Sequence, residues 1–271
     1  MTTQADKTLT MIREVCALGR VEFDRPHTPE GDPDAGRALV KGLRALDLDG
    51  EPSDISPSLD LPAPRAPYSD RLVLDAIESG TRQVVTLGSG YDDRTLRFRH
   101  SGIQFFELDL PDIIADKTHH LGTDTTHITL APADFASDDV TDVLNRAGHD
   151  SQQPTLFIAE HLVLFLKPND VARLIAGTSH RAAKGSTLAL TTEAHPAGLE
   201  SALVISAVDD MFAGAGPLHT IKSRDAWLAL PDQHGWQVHD AAEVVAVNHF
   251  ELPMTDQPAQ IQTQFLSATT T

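Results

Sequence analysis

The chain has 271 residues and only one cysteine, Cys16, which we interpret as a core or helix-face residue. A disulfide within the chain and a cysteine-based zinc cluster are therefore both excluded. The thirteen histidines do not indicate a metal site either. His119 and His120 are neighbours on a predicted helix, and adjacent helical residues do not share a face. No bound metal is predicted.

Positive charge is also scarce. The chain has 21 Lys and Arg against 39 Asp and Glu, which gives a formal net charge of −18. Such a chain repels phosphate backbones and anionic lipid surfaces, so neither a nucleic-acid partner nor a membrane partner is expected. A small anionic substrate remains compatible, because a local arginine overrides a global field. The acids otherwise have the ordinary task of keeping the surface hydrated.

Long hydrophobic runs are missing as well. The longest one, residues 157–166, is interrupted by Glu160 and His161 and is far shorter than the roughly 20 residues of a membrane span. The first ten residues show no basic segment followed by an apolar one, as a signal peptide would. We therefore expect a cytoplasmic protein. The length is that of one α/β domain with an appendage.

The N-terminal quarter differs in pattern from the rest. Residues 7–20 and 35–47 carry apolar side chains at helical spacing, and residues 49–67 contain five prolines with little periodicity. We predict a helical cap with a proline-rich connector over residues 1–66 and a main domain over residues 67–271. A helix over residues 68–80 is expected to open the main domain, with Ser69 or Asp70 as its N-cap.

After this helix, apolar runs alternate regularly with amphipathic segments. The predicted strands are residues 83–88, 103–108, 126–130, 155–159 and 186–191, and the predicted helices are 92–99, 111–118, 138–147, 169–183 and 200–213. Such alternation predicts an α/β fold with a doubly wound, mostly parallel sheet. The late segments 236–239, 243–250 and 260–267 alternate between apolar and polar residues, as an edge strand or an antiparallel pair does.

The stretch from Gln83 to Asp109 is the first candidate for a binding site. Gly88 and Gly90 follow the first strand, and glycines there permit a sharp turn and a close approach of backbone to ligand. Asp109 ends the second strand about 20 residues later, where a nucleotide-binding unit places the acid that holds a ribose. The third glycine of the dinucleotide fingerprint is missing, so the turn does not require a pyrophosphate. A nucleoside without phosphate fits, and S-adenosylmethionine (SAM) is the usual example.

The third and fourth predicted strands also end in acids, Asp134 followed by Phe135, and Glu160 followed by His161. The carboxyl ends of these strands share one rim, where ligands bind. Asp134 and Phe135 suit the amine and ring face of an adenine, and Glu160 suits the ammonium of the methionine or a substrate group. Asp109 and Asp134 have the alternative of capping a helix or turn. His161 is either a base near neutral pH or a residue at a helix start.

The stretches around these residues resemble the leucine carboxyl methyltransferase family over residues 65–193. The matching positions are Gly88, Gly90, Asp92 and Arg94 in the glycine turn, Glu107 and Asp109, Asp134 and Phe135, and Ala159 and Glu160. Counting back from the well-matched helix places the family's arginine for the methionine carboxylate at Arg65. Three positions depart from the pattern: Phe165 replaces a tyrosine, Tyr91 an apolar residue, and Ala66 the threonine after the arginine.

The resemblance implies the Rossmann-like class I fold of SAM-dependent methyltransferases. It implies transfer of a methyl group to a carboxylate or hydroxyl oxygen of a small metabolite, as in bacterial secondary metabolism. SAM would contact Arg65, Gly88, Gly90 and Asp92. It would also contact the residues at the strand ends, which are Asp109, Asp134, Phe135 and Glu160. A hydroxyl acceptor would need a base, for which Tyr91 and His161 are the candidates.

Two alternatives stay open. The first is a cyclase in which the amine of SAM attacks its own γ-carbon, giving azetidine-2-carboxylate and methylthioadenosine. The second is a non-catalytic binding protein that retains the fold. The sequence does not decide the acceptor, and a homo-oligomer remains possible.

Overall fold

The computed structural model describes residues 13, 16–21, 25–43, 65–121, 125–211, 218–242, 250–252 and 259–270. Residues 16–20 are helical, while the remainder of the predicted helix 7–20 is described only at the helical Arg13. Residues 49–64 of the predicted proline-rich connector lie outside the described residues. The division into a cap and a main domain therefore stays a prediction.

A nine-stranded sheet forms the centre of the fold. Its strands are β1 (Gln83–Leu87), β2 (Gln104–Asp109), β3 (Ile128–Pro132), β4 (Thr155–Ala159), β5 (Thr187–His195), β6 (Lys222–Ser223), β7 (Gln237–Ala242), β8 (Phe250–Leu252) and β9 (Ala259–Thr269). The order is β3-β2-β1-β4-β5-β9-β7, with β6 paired to β5 and β8 to β9. The first five strands run parallel, and β9 is antiparallel to β5, β7 and β8. The predicted doubly wound, mostly parallel sheet is confirmed.

Strand order reverses between β1 and β4, which pair in parallel side by side. Both strands are buried along their whole length, because helices cover the two faces of the sheet. Val85 and Phe157 belong to the larger core cluster, whereas Val84 and Ile158 belong to the cluster on the opposite face. The continuous apolar runs in the sequence are thus explained by burial on both sides. The reversal creates a crevice at the carboxyl ends of β1 and β4.

Within the described residues the helices include α1 (Ala35–Leu43), α2 (Arg65–Ser79), α3 (Arg94–Arg97), α4 (Pro111–His120), α5 (Val140–Arg146), α6 (Pro168–His180), α7 (Ser201–Met211) and α8 (Arg224–Asp232). A 3-10 turn, Val163–Phe165, follows β4. The pattern did not predict this turn, β6 or α8, since all three are short or irregular in periodicity.

One prediction about a helix end is wrong. The helix expected over residues 68–80 begins at Arg65, so Ser69 and Asp70 lie inside α2 rather than at its N-cap. Both side chains are buried and turn toward the charged groups beneath the glycine turn. Ser69 donates to the Glu160 carboxylate, and Asp70 accepts from Arg94 and Arg97. Ser69 and Asp70 therefore bind distant charged side chains instead of capping a helix.

Within the described residues, no helix combines the length and apolar character needed to cross a bilayer.

Candidate cofactor and active site

A cavity of about 260 Å³ lies at the switch point of the sheet. Its lining includes Arg13, Cys16, Arg20, Arg65, Gly88, Ser89, Gly90, Tyr91, Asp109, Leu110, Asp134, Phe135, Glu160, His161, Leu162 and Phe165. The segments after four parallel strands supply most of these residues, Arg65 comes from the start of α2, and Arg13, Cys16 and Arg20 come from the N-terminal segment. Every candidate named from the sequence lines the cavity except Asp92.

The glycine turn and the acid after β2 are joined directly. The backbone N–H of Gly90 donates to Asp109 Oδ2 at 2.6 Å, and that of Leu110 donates to Asp109 Oδ1 at 2.7 Å. Gly88 and Gly90 both have positive φ, 68° and 49°, where a side chain is strained. A Cβ on Gly88 would also meet Leu162 at 2.9 Å. The carboxylate is therefore fixed at the cavity wall in an orientation set by the turn.

Asp134 and Phe135 form the cavity wall beyond β3. Asp134 Oδ1 accepts from the backbone N–H of Ala136 at 2.9 Å, so the side chain does cap its own turn. Among the described residues, none donates a hydrogen bond to Oδ2. Phe135 is buried, and Arg173 holds its carbonyl oxygen at 2.7 Å. The wall thus combines an acceptor oxygen with an aromatic face.

Glu160 is saturated by protein donors. Arg20 donates to Oε1 at 2.8 Å, while Ser69 and Arg94 donate to Oε2 at 3.0 Å and 3.1 Å. Burial alone would raise the pKa of this carboxyl, but Arg20 and Arg94 outweigh it and hold the pKa well below its usual range. An ionised carboxylate so engaged has little capacity left for a ligand ammonium.

Asp92 takes a supporting place outside the cavity lining. It is buried and ion-paired with Arg94, whose guanidinium also contacts Asp70 and Glu160. Burial would raise the pKa of Asp92, but Arg94 and Arg20 lower it to about 2. The glycine turn is thereby tied to α2 and to the end of β4 through one arginine.

Arg65 is the cavity cation with the greatest freedom to bind an anion. Its side chain is buried, Nη1 contacts His161 Nδ1 at 2.7 Å, and Nη2 donates to Cys16 Sγ at 3.6 Å. Its Nε has no hydrogen-bond partner among the described residues. A buried guanidinium without a carboxylate within ion-pair distance, in the part of the chain that the structure describes, has the charge and the donors to hold an anionic ligand.

His161 is held in one protonation state. Burial, followed by the charge of Arg65, lowers its pKa well below 6.5, so the imidazole is neutral. A guanidinium only donates, so Nδ1 is the acceptor and the proton lies on Nε2. The ring lies edge-on to Phe165 with centroids 5.5 Å apart, on a backbone with φ of 58°. This tautomer makes His161 a hydrogen-bond donor toward the cavity and a poor base.

Tyr91 lines the cavity with its ring. Its hydroxyl donates to Asp116 Oδ2 at 2.5 Å, and Asp116 is on α4 outside the cavity lining. The ring packs with Ala17, Leu18 and Val21 of the N-terminal segment. The side chain therefore anchors that segment over the glycine turn.

The sequence reasoning missed the contribution of the N-terminal segment. Arg20 reaches Glu160, Arg13 lies 4.0 Å from Asp109 Oδ1, and Cys16 contacts Arg65. A helical pattern rich in arginine in an acidic chain was the available signal. Glu193, an acid inside the apolar run of β5, was also missed, although a buried acid is costly unless paired or used.

Comparison with known proteins identifies the family of the chain. The sequence profile of the leucine carboxyl methyltransferase family matches residues 38–179, just over half of the chain. A protein of Saccharopolyspora erythraea assigned as an S-adenosyl-L-methionine-dependent methyltransferase is 30% identical over 205 residues, covering 73% of this chain and 70% of its own. A protein of Mycobacterium tuberculosis H37Ra with the same assignment is 31% identical over 193 residues, covering 64% and 60%.

The fold has counterparts among solved structures. Magnesium protoporphyrin IX methyltransferase from Synechocystis PCC 6803, with bound S-adenosylhomocysteine (SAH), aligns with a TM-score of 0.50 at 11% identity, covering 88% of this chain and 94% of that one. At this identity the likeness concerns the fold alone. It supports the Rossmann-like class I architecture, while SAM as the cofactor follows from the family match and the SAM-dependent relatives. The chain belongs to the leucine carboxyl methyltransferase family.

Proposed function

We propose that this protein is a SAM-dependent methyltransferase that methylates a carboxylate or hydroxyl oxygen of a small metabolite. The observation that carries the proposal is the cavity at the switch point, where Asp109 is oriented by Gly90 beside the adenine-type wall of Asp134 and Phe135.

The residues present fit SAM. Asp109 lines the cavity as a bidentate acceptor for ribose hydroxyls, and the space beside Gly90 is open, because a Cβ there would meet no protein atom within 4 Å. Arg65 lines the cavity without a carboxylate within 4.0 Å among the described residues, and we assign its guanidinium to the methionine carboxylate. Glu160 acts indirectly, because its carboxylate holds Arg20 and Arg94 in place. Asp92 likewise acts as a positioning residue through Arg94, and we assign it no direct contact with the cofactor.

When bound, SAM supplies an electrophilic methyl group on a sulfonium. The contribution of the chain is to orient the acceptor oxygen in line with that methyl group and to exclude water. The apolar side chains of Leu162 and Phe165 line the cavity beside His161. His161 Nε2–H is placed to donate a hydrogen bond to an acceptor group.

Binding of SAH to the Asp109→Ala variant tests the ribose assignment. Loss of two charge-assisted hydrogen bonds should weaken the affinity on the order of 100-fold. The matched control is Asp112→Ala, an exposed acid three residues further along. Unchanged affinity in Asp109→Ala, measured by titration calorimetry, would remove this role from Asp109.

Incubation with SAM and candidate acceptors, followed by mass spectrometry, tests the reaction class. Formation of SAH together with a methylated acceptor is the expected outcome. Methylthioadenosine as the product would instead identify the cyclase. A protein that is not stabilised by SAM in a thermal-shift experiment would be the non-catalytic binding protein.

A further inference from the structure

The glycine turn after β1 carries a side-chain hydroxyl, that of Ser89, between Gly88 and Gly90. Ser89 lines the cofactor cavity, and only 2% of its surface is exposed. Its Oγ is buried and has no hydrogen-bond partner among the described residues. Tyr91, the other hydroxyl-bearing residue of the described lining, donates instead to Asp116. A buried polar atom without a partner is costly, so a hydroxyl of this kind at a ligand cavity indicates a contact with the ligand.

The backbone N–H groups of the turn are already used within the protein. Those of Gly88 and Ser89 both donate to the carbonyl oxygen of Leu108, at 2.8 Å and 3.1 Å. The N–H of Gly90 donates to Asp109 Oδ2. Among the hydrogen-bond donors of these three turn residues, only the Ser89 hydroxyl lacks an acceptor within the described part of the chain. The side chain of Ser89 is therefore the group through which the turn has hydrogen-bonding capacity left for a ligand.

The turn lies between two halves of the cavity, because β1 lies between β2 and β4 in the sheet. On the β2 side, Gly90 is joined to Asp109, to which we assign the ribose. On the β4 side, Gly88 packs so closely on Leu162 that a Cβ would meet its Cδ1 at 2.9 Å. Ser89 is in the middle. A cofactor that extends from the ribose position toward β4 therefore passes Ser89 with its amino-acid end.

The ammonium group at that end of SAM has no assigned acceptor. Arg65 is assigned to the carboxylate, and in SAM the carboxylate and the ammonium are bonded to the same carbon. Glu160, the acid that the sequence suggested for the ammonium, already accepts from two arginines and a serine. The ammonium therefore needs another acceptor near Arg65 and the glycine turn.

From this placement, and resting on the cofactor position described under the proposed function, we propose that the Ser89 hydroxyl binds the amino-acid end of SAM and accepts a hydrogen bond from its ammonium group. A serine hydroxyl has two acceptor lone pairs and one donor, so Oγ accepts from the ammonium and keeps its own hydrogen for a second contact. A neutral acceptor has a further advantage here. A second carboxylate in this position would compete with the cofactor for Arg65, whereas a hydroxyl leaves the guanidinium to the methionine carboxylate.

This contact is a property of the sequence of this chain. The glycine-x-glycine pattern specifies the two glycines and leaves the residue between them open, and here that residue is Ser89. The hydroxyl thus takes over a task that the strand-end acid Glu160 does not have the free oxygens to perform.

The experiment measures the affinity of SAH and two of its analogues by titration calorimetry. One analogue lacks the amino group (deamino-SAH), and the other lacks the carboxylate (decarboxylated SAH). Ser89→Ala should weaken both SAH and decarboxylated SAH on the order of tenfold, the effect of one hydrogen bond to a charged group. It should leave the affinity for deamino-SAH unchanged, because this ligand has no ammonium to lose.

Two further variants calibrate this pattern. Arg65→Met should show the opposite selectivity, with weaker binding of SAH and deamino-SAH and little change for decarboxylated SAH. Ser206→Ala removes an exposed serine hydroxyl on α7 and should bind all three ligands as the unaltered protein does.

A second readout uses the protein without ligand. Because Ser89 Oγ has no partner in the described chain, Ser89→Ala should leave the urea midpoint of the ligand-free protein unchanged or raise it. The increase in stability caused by saturating SAH should be smaller in this variant, since a ligand stabilises in proportion to its affinity. A lower midpoint without ligand, together with an equal loss of affinity for all three ligands, would show a structural role and overturn the inference.

Equal SAH affinities in Ser89→Ala and Ser206→Ala would also overturn it and return the ammonium to Glu160 or to a backbone carbonyl. A tenfold loss that persists with deamino-SAH would contradict the assignment to the ammonium. None of these results affects the proposed function, which fails instead if the unaltered protein converts SAM to methylthioadenosine rather than to SAH. The two failures are therefore distinguishable.

Discussion

Arg20 and Glu160 form an ion pair, with Nη2 and Oε1 2.8 Å apart, that links the N-terminal helical segment to the end of β4. Arg94 contacts the other oxygen of the same carboxylate, at 3.1 Å from Oε2. The acid that sequence reasoning expected to meet a ligand is thus shared between two arginines. This arrangement explains how an ionised side chain tolerates burial at the carboxyl end of a central strand.

Glu160→Gln should lower the free energy of unfolding at pH 7 on the order of 3 kcal/mol, because Arg20 loses its counter-ion and Arg94 keeps only Asp70 and Asp92. The folded pKa values of Glu160 and Asp92 lie below their unfolded values, so the stabilisation is present above about pH 4.5 and is lost as pH falls toward 2. Urea unfolding across this pH window should show the two proteins converging in acid. Parallel stability curves would contradict the assignment, and Glu200→Gln serves as the control.

Arg65→Met should reduce the affinity for SAH on the order of 10- to 100-fold, since a charge-assisted hydrogen bond contributes about 1.5–3 kcal/mol. Methylthioadenosine lacks the amino-acid carboxylate, so its affinity should change little. Calorimetry with the two ligands separates this role from a general loss of fold. An equal loss for both ligands would show that Arg65 shapes the cavity rather than binding the carboxylate. Arg71→Met, an exposed arginine on α2, is the matched control.

His161→Asn should keep the rate of methyl transfer within about tenfold of the unaltered rate, because His161 is a neutral hydrogen-bond donor. Loss of a general base would instead lower the rate by about 100-fold or more. Asparagine tolerates the left-handed backbone at φ of 58° and retains an oxygen that accepts from Arg65. The dependence of the rate on pH should likewise show no limb that is lost in His161→Asn. A fall of 100-fold or more with unchanged SAH affinity would restore His161 as the base.

Glu193→Gln should be more stable than the unaltered protein in mildly basic solution. Folding buries the Glu193 carboxyl and raises its pKa from 4.5 to about 7. Its contribution to the stability of the folded protein is therefore complete below pH 4.5 and is lost as the pH rises through 7. The difference in free energy of unfolding should therefore grow between pH 4.5 and pH 8, to the order of 3 kcal/mol. A constant difference across this range would show that the carboxyl titrates normally.

The order of strands and helices was largely readable from the sequence. Continuous apolar runs such as Val84–Leu87 indicated strands buried on both faces, and the glycine turn with Asp109 indicated a nucleoside site. Those features depend on neighbours within about 25 residues. The alternating segments 236–239 and 260–267 were also recognised, since β7 and β9 pair antiparallel, whereas residues 243–249 of the third lie outside the described residues.

The sequence by itself determined the fold class, the family and the rim at which a ligand binds, since periodicity and short motifs encode local geometry. Only the tertiary structure decided what each charged group does there. Glu160 and Asp92 became partners of arginines distant in the chain, and His161 became a neutral donor through Arg65. Glu193 has no arginine or lysine nitrogen within 4.0 Å in the described part of the chain and accepts a hydrogen bond from Thr263. Protonation and pairing depend on burial and on neighbours far apart in sequence, and these exist only once the chain has folded.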